Sequence, residues 1–500
     1  MHDGSVAGAI KCWLVPTPFR FCLWSGATYA PTMRSDITKM TTLGFEGRST
    51  ATTMLTLAVL RFLEADGHDV PRKLLNFTDN RQDAALQAGH FNDFVQTSLL
   101  RAALYRALDA AGDEGLDYTQ LASAVQGALD LPMEEYAQNP EASYGAKDEI
   151  DRAFREVLAY RLYVDLRAGW RVTAPNLEQA GLLEVDYSYL QELCENEEEW
   201  TSIHQILADA DPSTRIAVSR AVLDHLRRQL AVKVDQLDPT YHDTLFSRSN
   251  QNLIAPWAID EAERYQLESG QIVFLRQRRP HDEQNWICLS SRSVVGQHLR
   301  RRAFGTTLAT HDVDEVMADL FRVLQKAGLI QPVIERKTDD GADIGYQIPA
   351  SALRWKAGSG TESARDLIRV PNVGDVTRIP SPFFVDFYRT IASALGGLEA
   401  REHTAQVTAD EREKREQRFR DDRLPVLFCS PTMELGIDIA SLNVVGMRNV
   451  PPTPANYAQR SGRAGRSGQP ALVITYCSTG SAHDQYFFRR PTLMVSGKVH

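Results

Sequence analysis

The chain has 500 residues, of which 43% are hydrophobic and 24% are charged, and its net charge is −10. This length exceeds what one hydrophobic core supports, so we expect about two to four domains. The composition is that of an ordinary globular protein. The negative balance excludes binding to nucleic acid through overall positive charge, so any such contact must be local.

The cysteine and apolar patterns indicate a cytoplasmic protein without a membrane partner or a metal site. No two of the six cysteines stand at C-x-x-C spacing, which argues against a disulfide framework and a zinc site. No run reaches the roughly 18 apolar residues of a membrane span, and the start lacks the pattern of a signal peptide.

The first segment, residues 1–50, is irregular and is predicted to be a connector. Its stretch Gly44–Thr50 superficially resembles a phosphate-binding loop. Such a loop needs four residues between its glycines and a lysine before the Ser or Thr. Here only two residues separate the glycines and Arg48 replaces the lysine, so we reject this interpretation.

Residues 73–83 form a short apolar strand that passes into a helix, and Asp79, Asn80 and Arg81 stand at the transition. Open α/β sheets bind ligands at the carboxyl ends of their strands, which favours a functional interpretation. A simple capped turn is the alternative, because Asp and Asn favour such positions anyway.

Residues 96–290 show mainly helical periodicity and are predicted to be a helical insertion. Residues 291–355 differ, since two helices precede a predicted hairpin, an order that resembles a winged-helix module. Arg300 stands at the end of the first helix, where it could contact a phosphate backbone. The predicted hairpin tip at 339–343 is acidic, so a purely structural module and a DNA-contacting one both remain open.

The last predicted units are a linker at 356–382 and an α/β segment at 383–490. Neither this segment nor residues 51–95 alone contains enough strands for a doubly wound sheet. Together they supply four or five strands, so we predict one discontinuous domain interrupted by the insertion.

The most informative stretch runs from Val426 to Arg466 and ends in a predicted helix. Thr453 is suited to cap that helix and Pro454 to its first turn. Gln459, Arg463 and Arg466 are spaced i, i+4, i+7 and are predicted to share one helix face. Arginines beside glycines are typical of polyphosphate sites. An exposed basic helix end is the alternative.

Three segments of the sequence resemble motifs of the superfamily 2 helicases, the DEAD/DEAH-box group and its relatives. SPTMELGIDI (430–439) and QRSGRAGR (459–466) resemble motifs V and VI, and TDNRQDA (78–84) resembles motif IV. The overall organisation is most similar to Lhr-like bacterial DNA helicases. The resemblance implies an α/β fold, namely a RecA-like doubly wound parallel sheet of the P-loop NTPase type, forming the second helicase domain. A mainly α-helical insertion with a winged-helix-like module would interrupt it.

The resemblance also implies roles for individual residues. Arg463 and Arg466 look like arginine fingers that reach the γ-phosphate of ATP, with Gln459 helping to position them. Asp438 would accept a hydrogen bond from the ribose, while Gly436 and Gly462 would allow close approach of the backbone. The candidates for contact with nucleic acid are Ser430, Thr432, Arg81, His403 and Arg300.

The family couples hydrolysis of ATP with Mg²⁺ to movement on nucleic acid, and this resemblance implies DNA rather than RNA. The sequence contains no GxxxxGK[ST] loop and no DExx strand. We therefore expect the chain to be a fragment or split subunit that needs an upstream RecA-like half, in cis or in trans, for hydrolysis. A non-catalytic nucleic-acid-binding or regulatory module is the alternative, and a gene remnant without function is a third hypothesis.

Overall fold

The computed structural model describes residues 45–65, 72–167, 174–280, 282–338, 341–368, 379–430, 442–465 and 471–497. The α-helices in this part of the chain are α1 Phe45–Ala65, α2 Arg81–Ala111, α3 Tyr118–Leu129, α4 Gly145–Asp165, α5 Leu190–Glu195, α6 Gln205–Ala208, α7 Pro212–Arg228, α8 His242–Asn252, α9 Glu261–Arg264, α10 Val294–Arg301, α11 Thr310–Lys326, α12 Pro382–Asp386, α13 Ala409–Arg420, α14 Pro454–Ser461, α15 Ala482–Phe488 and α16 Pro491–Val495. The strands are β1 Leu74–Phe77, β2 Leu183–Tyr187, β3 Val232–Lys233, β4 Ile272–Phe274, β5 Trp286–Cys288, β6 Gln331–Thr338, β7 Gly341–Pro349, β8 Leu353–Ala357, β9 Ala400–His403, β10 Val426–Cys429, β11 Val444–Met447 and β12 Leu472–Thr475. None of the helices described here is long and apolar enough to cross a membrane.

A five-stranded parallel sheet in the order β12-β11-β1-β10-β9 is the centre of the α/β part. Its middle strand, β1, precedes the long insertion, whereas the other four strands follow it. β1 pairs in parallel with β10 on one side, Leu74 opposite Val426, and with β11 on the other, Leu74 opposite Val444. The predicted α/β parallel sheet is therefore confirmed.

The apolar residues of the strands give the sheet two buried faces. Successive side chains of a strand point to opposite faces, so a strand covered by helices on both sides is apolar throughout. Leu74 and Val426 face the core that α1 and α2 cover. Leu75 and Leu427 face a second core, which Phe419 of α13 and Tyr457 of α14 cover.

Asn76 is a polar exception in the middle of β1, where only 4% of it is exposed. Its neighbour on β11 is Gly446, and a Cβ atom there would lie 2.6 Å from the Asn76 amide nitrogen. The amide therefore fits because the adjacent residue has no side chain.

The helix α2 joins the sheet to the insertion. It is 31 residues long, begins directly after β1 and has buried residues along its whole length. Arg101, in the second half of this helix, is buried and pairs with Asp165 of α4 at 2.6 Å, and it donates to the Tyr388 hydroxyl at 2.8 Å. The predicted boundary between residues 95 and 96 therefore falls inside one continuous helix.

The insertion contains more strand than its periodicity indicates. The predicted hairpin exists as β6 and β7, and β7 also pairs with β4, which in turn pairs with β5. The predicted ranges 96–290 and 291–355 therefore share one sheet. The acidic residue Asp343 of the hairpin lies 2.6 Å from the Arg276 guanidinium, which neutralises its charge.

A buried ion cluster lies in the insertion. Glu178 accepts hydrogen bonds from Arg227 at 2.7 and 3.0 Å and from Arg228 at 3.2 Å. Burial raises the pKa of Glu178, but the two guanidinium groups outweigh burial and lower that pKa to about 2. Arg227 also donates to Asp224 at 3.1 Å and to the Tyr187 hydroxyl at 3.2 Å. Removing one member would leave other charges buried without compensation.

We predict that Arg227→Met lowers the free energy of unfolding of the insertion by about 3–5 kcal/mol, because it leaves the Glu178 carboxylate buried without its main partner. Arg220→Met is the matched control, since the Arg220 side chain is 42% exposed beside Asp186. It should cost less than about 1 kcal/mol. Urea unfolding followed by tryptophan fluorescence measures both, since five tryptophans lie in the insertion: Trp170, Trp200, Trp257, Trp286 and Trp355. Equal losses in the two variants would contradict the prediction.

Candidate nucleotide and nucleic-acid site

The carboxyl end of β1 presents an exposed, capped turn. The Thr78 N–H donates to the Cys429 carbonyl at 2.9 Å, and the chain then leaves the sheet. Asn80 caps α2, because its side-chain oxygen accepts from the Asp83 N–H at 2.8 Å. Asp79, Asn80 and Arg81 are all exposed. The capped turn is real, and it also places the Arg81 side chain at the surface.

Ser430 lies directly after β10, at the same edge of the sheet as this turn, and is fully buried. Thr432, Gly436 and Asp438 lie outside the described residues. Burial raises the pKa of the preceding Cys429 thiol well above its ordinary value. Since the thiolate is the reactive form, Cys429 is a packing residue rather than a nucleophile.

The helix α14 begins as its sequence predicts but ends earlier. Thr453 caps it by accepting from the Asn456 N–H at 3.2 Å, and Pro454 occupies its first turn. The helix ends at Ser461, so the prediction that Arg463 continues one helix face is wrong. The residues after it form tighter turns, in which the Arg463 N–H donates to the Arg460 carbonyl at 3.2 Å.

Two glycines explain this early end of α14. Gly462 closes the helix, and Gly465 has a φ of +72°, a left-handed conformation that glycine adopts without steric cost. Gly462 is exposed and Arg463 is partly exposed. Arg466 lies outside the described residues.

The face of α14 that points inward carries Tyr457 and Arg460. Only 2% of Arg460 is exposed, and its guanidinium lies 5.5 Å from the centre of the Phe77 ring. Gln459, on the adjacent position, is exposed. Of the arginines in this motif, Arg460 therefore anchors the helix to the sheet, a role that the sequence did not predict.

Arg463 follows the carboxyl end of α14, whereas the amino-terminal end of α14 is the one that the chain connects to β11. The Gly465 N–H donates to the Leu442 carbonyl at 2.9 Å, and Leu442 precedes β11. The eight residues of α14 span about 12 Å. The candidate site thus has two parts: the exposed turn at 79–82 beside the carboxyl edge of the sheet, and the segment around Arg463 on the face that α14 covers.

His403 lies at the carboxyl end of β9, but its ring is fully buried. Its Nε2 atom lies 2.8 Å from a Glu416 oxygen. Burial lowers the pKa of His403 against the opposing effect of the Glu416 carboxylate. The ring therefore lies inside the domain and not at the surface where nucleic acid could contact it.

Arg300 lies on α10 of the insertion. Its Nε atom donates to the Leu308 carbonyl at 3.2 Å, which holds the loop after α10. Arg301 and Arg302 beside it are exposed. The stretch Asp314–Met317 resembles a DExx box in sequence, but it lies inside the helix α11 rather than after a strand.

Sequence reasoning also missed Arg448, a further buried arginine, which follows β11 and is 5% exposed. Its guanidinium pairs with Asp83, three residues after the cap of α2. Throughout the described ranges, no cluster of three or more His, Cys, Asp or Glu side chains could hold a metal ion. Arg463 is partly exposed, but the described residues offer no complete phosphate cradle.

Comparison with known proteins identifies the carboxyl-terminal part of the chain. Residues 380–468 match the helicase conserved C-terminal domain. Over 120 residues the chain is 44% identical to Druantia protein DruE of Escherichia coli (strain UMEA 4076-1), covering 21% of this chain and 6% of DruE. Over 97 residues it is 30% identical to ATP-dependent DNA helicase Q5 of Rattus norvegicus, covering 19% of this chain and 10% of that protein.

The chain also resembles part of a solved structure, Mycobacterium smegmatis helicase Lhr bound to ssDNA and AMP-PNP. The identity is 26%, the match covers 20% of this chain and 13% of that one, and the TM-score is 0.18. The chain thus spans a tenth or less of the length of the two curated relatives named above. Together with the parallel sheet and the capped helix of its last motif, the family match means that this chain carries the carboxyl-terminal domain of a superfamily 2 helicase.

Proposed function

We propose that the chain is the carboxyl-terminal motor part of an ATP-dependent DNA helicase or translocase. In this proposal it couples hydrolysis of ATP with Mg²⁺ to movement on nucleic acid or to its unwinding. The observation that carries the proposal is the matched helicase domain, in which a capped helix delivers Arg463 to a partly exposed, glycine-flanked turn.

The ATP would lie between this domain and an upstream RecA-like half, in cis or in trans. Arg463 and Arg466 would contact the γ-phosphate and stabilise the charge that develops during phosphoryl transfer. Gln459 would assist them, while Gly436, Asp438 and Gly462 would border the nucleotide. Mg²⁺ and the phosphate cradle would come from the upstream half.

The nucleic acid would contact the exposed turn at 79–82. Arg81 is exposed there and offers a guanidinium to a backbone phosphate. Thr432, in the segment that follows β10, would contribute as well. Ser430 is fully buried, as His403 is, so we do not propose that it contacts nucleic acid directly. DNA is favoured over RNA because a relative over 97 residues is named a DNA helicase. Curated relatives also include RNA helicases, so both nucleic acids belong in the experiment.

The test is ATP hydrolysis by the chain together with the upstream half that its own gene, or the adjacent gene, encodes. Arg463→Ala and Arg466→Ala should each lower the turnover number on the order of a thousandfold or more, the effect of removing an arginine finger. Arg423→Ala is the matched control, because the Arg423 side chain is 67% exposed and pairs with the nearby Asp421. It should keep the wild-type turnover.

The same assay decides between the proposal and its alternative. We expect single-stranded DNA to stimulate hydrolysis more than RNA, and we expect this chain alone to hydrolyse no ATP. Unchanged turnover in both finger variants would refute their role. Salt-sensitive DNA binding that ATP never alters, even with the upstream half present, would instead identify a non-catalytic nucleic-acid-binding or regulatory module.

A further inference from the structure

Arg448 directly follows β11 and begins the segment that leads to α14. Its N–H extends the sheet ladder by donating to the Phe77 carbonyl at 2.9 Å. Its guanidinium is buried, and Nη1 lies 2.9 Å from Oδ2 of Asp83. Nε donates to Gln87 Oε1 at 3.2 Å, and Nη2 donates to Ser49 Oγ at 3.3 Å. One side chain therefore joins β11 to α2 and α1.

Asp83 is also the residue that holds the exposed turn at 79–82. Its Oδ2 atom, which faces Arg448, accepts a hydrogen bond from Asn80 Nδ2 at 3.0 Å. Its N–H donates to Asn80 Oδ1 at 2.8 Å, which closes the cap of α2. The position of the Arg448 guanidinium is therefore linked through a single carboxylate oxygen to the turn that carries Arg81.

On its other side, Arg448 begins a short link to α14. The link contains Pro451 and Pro452, whose rings fix the backbone φ angle. The Pro451 carbonyl accepts a hydrogen bond from His483 Nε2 at 3.0 Å, which holds the link against α15. α14 then continues without interruption to Ser461, two residues before Arg463. A displacement at Arg448 would therefore be carried to Arg463 by a constrained link and a rigid helix.

We infer that Arg448 is a positioning residue that couples contact of nucleic acid with the turn at 79–82 to the placement of Arg463 at ATP. The inference rests on the proposed function. Arginine suits this task because its planar group can hold three partners at fixed angles. A lysine could retain the charge beside Asp83, but it could not hold Gln87 and Ser49 in the same geometry.

The test is ATP hydrolysis by the complete protein, with its upstream half, as a function of the concentration of single-stranded DNA. In Arg448→Met we expect the stimulation by saturating DNA to fall at least about tenfold, the factor for one charge-assisted hydrogen bond. Hydrolysis without DNA and the half-saturating DNA concentration should each change less than about threefold. Arg448→Lys should recover part of the stimulation.

Lys73→Met is the matched control for loss of a buried cation. The Lys73 side chain is buried at the opposite, amino-terminal end of β1, where it lies 2.6 Å from Asp422. This variant should unfold at a lower temperature but keep the stimulation by DNA. Full stimulation in Arg448→Met, or equal loss in both variants, would overturn the inference and leave the proposed function intact. A wild-type protein whose ATP hydrolysis ignores DNA would overturn both.

Discussion

The hydrogen-bond ladder on both sides of β1 is the constraint on which the rest of the structure depends. This four-residue strand lies between β10 and β11, and all three are fully buried. Without it, each of the other two strands would expose one edge of unpaired N–H and C=O groups inside the domain, which is costly. The ladder therefore holds together segments that a long insertion separates in the sequence.

This arrangement also explains how the two parts of the candidate site are related. The turn at 79–82 follows the middle strand, and Arg448 follows its neighbour β11, so parallel pairing places them at one edge of the sheet. Arg463 is held at a fixed distance from that edge, because Arg460 anchors α14 against Phe77 of β1. Both parts are thus positioned by contacts with β1.

The insertion is attached to this sheet by packing as well as by chain connectivity. α2 begins at the cap formed by Asn80 and extends into the insertion, where Arg101 pairs with Asp165. The buried cores of the two regions are continuous along it. The turn at 79–82 and the insertion are therefore joined by one continuous helix.

Local chemistry made much of the fold predictable from the sequence. Thr453 and Pro454 obey rules that concern a few neighbouring residues, and apolar tetrapeptides indicate buried strands. The remaining parts of the fold depend on contacts between residues that are far apart in the sequence. β4 and β5 have three residues each, which is too few to show a periodic pattern in the sequence. β4 is stabilised by pairing with β7, far along the chain, and β5 is stabilised by pairing with β4.

The buried arginines were missed for the same reason. Arginine ordinarily indicates a surface position, and a buried one needs partners that compensate its charge. The partners of Arg448, namely Ser49, Asp83 and Gln87, lie several hundred residues earlier. The early end of α14 depends on Gly465, which adopts a left-handed conformation. The spacing of residues along a helix face does not reveal such a conformation.

The most direct test of the account is hydrogen exchange of the backbone amides in the sheet of the native protein. The Leu74 N–H donates to the Pro425 carbonyl at 2.8 Å and the Thr78 N–H to the Cys429 carbonyl at 2.9 Å. If β1 is the middle strand, its amides should exchange with the same opening free energy as those of β10 and β11, since all three open together. Rapid exchange in β1 while β10 and β11 remain protected would contradict the account.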